Sequence, residues 1–272
     1  KQYAQGTTIG YRTKNIIARL SQTSVGENYR AETGYVRRTG YNFLGPEFGY
    51  LFVPNKKVVS HGIRLGTENY FDPDYRKIEQ TNVVGYEFEF RNRSSLELGY
   101  KDVFVKLQND FDPTHVSKTY LSQDSEYDFG FWYVQHSSTS KTLFNWAAEV
   151  SQGTFYNGEI LFLNGRMGYR YQPYINFVLN LNYTDIHLPG DFKRANFWLI
   201  GPKLDVTFTK EIFLSAFVQY NEQIDNMNLN MRFQWRYQPV SDIFIVYSDN
   251  YIPGSWNSRN RAIVLKMTYW LN

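Results

Sequence analysis

A histidine beside two serines and aspartates two residues apart are the groupings in this chain best suited to chemistry. His136 precedes Ser137 and Ser138, and a serine hydroxyl within reach of an imidazole is the core of acyl-transfer catalysis. Those serines fall where the sequence turns, however, and no third residue stands near to orient the ring. His61, His115 and His187 are widely separated and lack metal-ligand spacing. His115 and His187 fall in expected long loops, whereas His61 and His136 fall in or beside expected strands, so solvated or lumenal imidazoles are expected. Asp72 with Asp74, and Asp110 with Asp112, could offer oxygens to Ca²⁺, which needs several such ligands together. Neither pair has an EF-hand pattern, and with Pro73 and Pro113 shaping the turns they read as solvated loop carboxylates. Tyr251 and Trp256 fall in an expected loop and could stack on a sugar, anchor at a membrane interface or meet a partner. No glycine-rich loop precedes a helix, so nucleotide binding has no support. The chain is expected not to be an enzyme, with no catalytic residues, no metal and no cofactor.

Composition says what kind of element holds these residues. Aromatics make up 18% of the 272 residues, with 23 Tyr and 21 Phe, yet the mean hydropathy is −0.50. A membrane helix needs about 20 consecutive apolar residues. The longest charge-free runs, such as residues 171–184, are broken by Asn and Gln. A transmembrane β-barrel escapes the hydropathy test, because only alternate residues face lipid. The absence of cysteine excludes a disulfide framework, a thiolate metal site and a cysteine nucleophile. The net charge of +3 is small, and the basic residues are spread among acids, so no nucleic-acid stripe is expected. Lys1, Gln2 and Tyr3 open the chain without the basic and apolar regions of a secretion signal, as a mature or truncated chain also would.

Alternation is the dominant pattern. In Leu229, Asn230, Met231, Arg232, Phe233, Gln234, Trp235, Arg236, Tyr237 an apolar side chain alternates with a polar one, and successive strand residues point to opposite faces. Similar runs predict about sixteen strands, with fourteen or eighteen as alternatives. They lie near residues 5–13, 16–22, 28–38, 46–53, 58–70, 78–92, 95–108, 120–135, 142–151, 158–171, 174–185, 194–208, 212–222, 227–237, 242–250 and 260–271. Tight turns at 55–57, 92–94, 138–140, 172–173, 209–210 and 239–241 alternate with longer connections at 71–77, 109–119, 152–157, 186–193 and 251–259. Short periplasmic turns and longer external loops in this order belong to an all-β, up-and-down, antiparallel transmembrane barrel. A single domain over residues 1–272 is expected, with an even strand count and both termini on the short-turn, periplasmic side.

The faces follow from cost. Tyr86, Phe88 and Phe90 share one side of a strand, with Glu87, Glu89 and Arg91 on the other. Because one Arg or Lys at the bilayer midplane costs about 2–4 kcal/mol in a barrel, the charged side is expected to face the lumen. By the same logic Leu229, Met231, Phe233 and Trp235 face lipid, and Asn230, Arg232, Gln234 and Arg236 face the lumen. Ile175, Phe177, Leu179 and Leu181 are expected outward, with Asn176, Asn180 and Asn182 inward. The last strand ends in Met267, Tyr269, Trp270 and Leu271, which look like the signal that barrel-assembly machinery reads.

Two runs carry a narrower likeness: residues 29–41, YRAETGYVRRTGY, and residues 232–237 with 242–247, RFQWRY and DIFIVY. With the ending VLKMTYWL they resemble the carboxyl-terminal barrel of an outer-membrane family of Bacteroidota, mostly of unknown function. That resemblance implies a carbohydrate-binding-like module before the barrel in many members, which is lacking here, so the chain is expected to be part of something longer. The expected setting is the outer membrane of a Gram-negative bacterium, with outer-membrane lipid, the assembly machinery and other envelope proteins as partners and no nucleic acid. Three functions are left open: a subunit or scaffold of a cell-envelope complex, a passive pore for small solutes, and a surface carbohydrate-binding protein.

Overall fold

A computed structural model describes residues 2–32, 34, 36, 38–54, 56–255 and 257–271. Among these residues the chain forms fifteen strands and no helix: β1 (Ala4–Arg12), β2 (Ile16–Val25), β3 (Tyr41–Phe52), β4 (Val58–Phe71), β5 (Lys77–Phe90), β6 (Ser95–Lys106), β7 (Glu126–Ser137), β8 (Phe144–Phe155), β9 (Gly158–Tyr171), β10 (Ile175–His187), β11 (Ala195–Thr207), β12 (Ile212–Asn221), β13 (Asn226–Gln238), β14 (Ser241–Ile252) and β15 (Asn257–Met267). They form one antiparallel sheet in which each strand pairs with the next in sequence, leaving β1 and β15 as its edges. No helix long and apolar enough to cross a membrane occurs among the described residues.

The count is fifteen where the sequence predicts about sixteen. The strand expected at 28–38 does not form among the described residues of that segment, which instead belongs to the connection between β2 and β3. Thr33, Tyr35 and Arg37, which contribute to that expectation, lie outside the described residues. The physical reason lies in the glycines: Gly34 has φ 130° and Gly40 φ 69°, and such backbone interrupts a pleat. Arg38 folds back to pair with Glu79 at 2.8 Å and lies over the Tyr70 ring at 5.4 Å. With an odd number of antiparallel strands, β1 begins on the side of the longer connections and β15 ends on that of the shorter turns. The described strands therefore do not support the expectation that both termini share one side.

The alternation of connections is a tendency, not a strict order. Those after odd-numbered strands are all brief: 13–15, 53–57, 91–94, 138–143, 172–174, 208–211 and 239–240. The longest, 26–40, 107–125 and 188–194, all follow even-numbered strands, but so do tight turns at 156–157, 222–225 and 253–256. The longer connection expected at 152–157 shrinks because β8 keeps its ladder through Phe155.

Two compact units are present: Lys1–His136 with Val150–Leu161 and Ile186–Arg194, and Ser137–Glu149 with Phe162–Asp185 and Ala195–Asn272. Burial is sparse. A compact soluble monomer of 32.2 kDa exposes about 12,000 Å², whereas this chain exposes 17849 Å². Large apolar side chains stay open on the strands, among them Trp132, Trp146, Trp198, Trp235, Ile263 and Leu265. Among the described residues most buried apolar side chains belong to the first unit, and Leu107, Leu121, Phe129, Ile186 and Leu188 lie in or beside its longer connections.

Candidate functional site

The sheet register turns local alternation into continuous surfaces. In the second unit, Leu229, Met231, Phe233 and Trp235 of β13 stand opposite Val218, Ala216, Leu214 and Ile212 of β12. On their other side they meet Asp249, Tyr247, Ile245 and Ile243 of β14, which in turn face Arg261, Ile263, Leu265 and Met267 of β15. One apolar surface thus crosses four strands. On the opposite face Asn230 donates to Ser248 Oγ at 2.8 Å, Arg232 donates to Gln234 at 2.8 Å, and Gln234 donates to Asp242 at 2.9 Å. Arg236 pairs with Asp242 at 3.4 Å.

That polar face is less purely polar than the sequence suggests. Phe213, Phe217 and Phe244 lie on it, opposite Gln234, Asn230 and Gln234 respectively. The Arg232 guanidinium sits 4.9 Å from the Phe244 centroid and that of Arg236 6.0 Å from Phe213, within the range of cation–π attraction. Nothing in the run Ile243, Phe244, Ile245, Val246 marks one side as polar, so only pairing with β13 reveals which rings receive the arginines.

The apolar surface ends in a polar hub. The Asp249 side chain is fully buried and accepts from Arg261 Nε at 2.6 Å, Ser258 Oγ at 2.6 Å and Tyr247 Oη at 2.6 Å. Tyr251 Oη lies 3.2 Å from Tyr247 Oη. An acid at this parity looks out of place in sequence, and its cation lies twelve residues away across a turn.

In the first unit, Tyr86 and Phe88 of β5 share a face with Ile63 and His61 of β4 and with Leu98 and Leu96 of β6. His61 stacks between Phe52 at 5.3 Å and Phe88 at 5.9 Å, with its Nδ1 2.6 Å from Tyr86 Oη. It is therefore on the apolar surface, neither solvated nor among the charges as the sequence suggests. The signal is its parity with Ile63 and Leu65. Phe90 continues the row at 6.4 Å from Phe88.

The opposite face carries Glu87 against Gly62 and Glu97, and Glu89 against Ser60 and Ser95. Ser60 donates to Glu89 at 3.2 Å. Glu47 holds Arg64 at 3.1 Å and Arg19 at 3.7 Å. Gly85 and Gly99 oppose each other, and the space left by their missing side chains takes the buried Tyr133. A Cβ at Gly99 would meet Tyr133 Oη at 2.7 Å. Tyr133 donates to Glu97 at 2.7 Å. Arg91, expected with Glu87 and Glu89, lies instead in the turn after β5, where its backbone N–H and Nε donate to the carbonyls of Lys57 and Lys56, both at 3.0 Å. The strand ends at Phe90, so the period that would carry Arg91 onto the charged face stops one residue short.

Near the longer connections, rings cover this charged face. Phe129 has the parity of Tyr133 and meets Phe155 at 5.5 Å and Tyr156 at 5.1 Å. Phe111, from the 107–125 connection, meets Tyr156 at 5.8 Å. Burial pushes the Tyr156 phenol up to about 12. The connection is stapled by Asp112, which accepts from the backbone N–H of Thr114 at 2.9 Å and of Lys118 at 3.0 Å, and from the hydroxyls of Thr114 at 2.6 Å and Ser117 at 3.1 Å. Asp110 accepts from Gln123 N–H at 2.8 Å. Asp72 and Asp74 both bind Arg76. The two acidic pairs thus meet donors of their own loops, and no cluster of three or more potential ligands occurs among the described residues.

Burial opposes ionisation of Asp112, but the hydrogen bonds from Thr114, Lys118 and Ser117 outweigh it and hold the carboxyl below its ordinary range. A depressed carboxylate stabilises above its unfolded value, and that contribution is lost as pH falls through the folded one. The 107–125 connection is therefore expected to loosen below about pH 4, seen as faster amide exchange at Thr114, Ser117 and Lys118. Asp112→Asn is expected to remove most of that pH dependence.

The remaining sequence candidates are dispersed. Ser138 Oγ accepts from the Trp146 N–H at 2.7 Å, and His115 packs edge-on against Phe111 at 5.5 Å. His187 closes β10. Met267 ends β15, and Tyr269, Trp270 and Leu271 follow it, with Trp270 N–H donating to Ser241 Oγ at 3.0 Å. Trp256 lies outside the described residues. The chain matches no known protein-family model and no curated protein.

Proposed function

We propose that this chain is a transmembrane β-barrel wall in the outer membrane of a Gram-negative bacterium, of the Bacteroidota type its sequence resembles, and that it serves as a scaffold subunit of an envelope complex. The observation that carries the subunit reading is the charged face of the first unit. Its carboxylates Glu47, Glu89 and Glu97 are engaged by Arg19, Arg64, Ser60 and Tyr133, and at its end near the longer connections Phe111, Phe129, Phe155 and Tyr156 pack together. A barrel of about sixteen strands leaves an aqueous channel unless a segment plugs it, and a stapled, ring-lined connection is suited to do so.

Pore activity is the second reading, favoured by the part-exposed guanidinium of Arg236. Planar bilayers decide between them. The purified chain is expected to be insulating and to copurify stoichiometrically with other envelope proteins. Replacing residues 109–119 by a short Gly/Ser linker is expected to open steady ohmic current. Steady current from the intact chain, altered in selectivity by Arg232→Glu or Glu89→Lys, would favour the pore.

A further inference from the structure

At the turns after β3 and β5 the apolar surface of the first unit runs into a group of cations. A cavity of ≈ 630 Å³ is lined by Lys56, Lys57, Arg91 and His136 together with Phe90 and Leu96. Phe90 and Leu96 extend the row of rings that includes Phe88. The turns at 53–57 and 91–94 carry Lys56, Lys57, Arg91 and Arg93 and no carboxylate. Arg91 ties them together through its bonds to the Lys56 and Lys57 carbonyls. Among the described residues, Lys56 and Lys57 have no acidic partner for their ammonium groups. Lysines left without a counter-ion, held beside an apolar wall, match one chemistry: an anion attached to hydrocarbon.

We propose that this cavity seats the phosphate of an anionic glycerophospholipid, with its acyl chains lying along Phe88, Phe90 and Leu96. The inference rests on the membrane reading. A lipid with its own ammonium neutralises its phosphate and gains less from Lys56 and Lys57, so the site discriminates by net headgroup charge. The attraction is electrostatic and near the surface, so it weakens with salt.

The whole chain is reconstituted into phosphatidylcholine vesicles containing brominated phosphatidylglycerol or brominated phosphatidylcholine, with insertion checked first by flotation. Quenching of a fluorophore on Ser94→Cys reports which lipid occupies the cavity. Phosphatidylglycerol is expected to be enriched about fivefold or more, with the preference lost in Lys56→Gln/Lys57→Gln and in 0.5 M salt, and retained in Lys210→Gln. Inserted chain with equal occupancy by the two lipids overturns the proposal while leaving the membrane reading intact. Inorganic phosphate at millimolar concentration that abolishes quenching by phosphatidylglycerol points to a free-anion site and also overturns it. Chain that fails to float overturns both.

Discussion

Met231→Arg is expected to destabilise the chain in lipid vesicles by about 2–4 kcal/mol, whereas Asn230→Lys one residue earlier costs less than about 0.5 kcal/mol. Met231 lies midway along the apolar row of β13, between Ala216 and Tyr247, and Asn230 has the opposite parity. In water the pair would behave alike: Met231 is already 36% exposed, and an arginine there would meet solvent at little cost. Only hydrocarbon separates the two substitutions. Urea unfolding from vesicles measures both, and equal small effects would be incompatible with a lipid-facing surface.

Asp249→Ala is expected to release β15 from β14 while β12 and β13 stay ordered. The apolar row from Trp235 to Leu229 covers on the order of 20 Å along the strand, close to the roughly 25 Å band of an outer-membrane wall. Asp249 stands opposite Leu229 at the end of that row. There it gathers Arg261, Ser258 and Tyr247, and two of these donors belong to the edge strand. Removing the carboxylate leaves donors without an acceptor and takes away the cross-strand tie at that end of β15. Amide exchange across residues 257–263 should rise towards that of an unprotected chain, and trypsin should cut after Arg259 or Arg261 in the otherwise folded protein. Persistent protection of those amides would mean that the backbone ladder alone holds the edge. Arg261→Gln should give a milder form of the same result, because Ser258 and Tyr247 still reach Asp249.

The contrast between β13 and β14 shows where reading from sequence stops. In residues 229–237 each side chain declares its face by type, since the pleat makes neighbouring residues diverge whatever their tertiary partners. In Ile243, Phe244, Ile245, Val246 both parities are apolar. Their assignment waits on register, which places Ile243 and Ile245 beside Trp235 and Phe233, and Phe244 under Arg232. The expected strand at 28–38 fails for a related reason. Its alternation is real, but Gly34 and Gly40 adopt positive φ, and Arg38 gains an ion pair and two ring contacts by leaving the ladder.

The sequence alone determined the strand-rich character of this protein, helix-free among its described residues, and the two unlike faces of its best strands, because both depend on side chains one and two residues apart. The tertiary structure decided the rest. It sent Arg91 from the charged face to the turn beside Lys56, thirty-five residues earlier, set His61 among Phe52 and Phe88, and brought Asp249 to Arg261. It also bent the 107–125 connection onto Tyr156 through Phe111. In each case the partners are distant in sequence, and their meeting depends on which strand pairs with which and in what register. Local alternation sets a side chain's face; only the ladder sets its neighbours on that face.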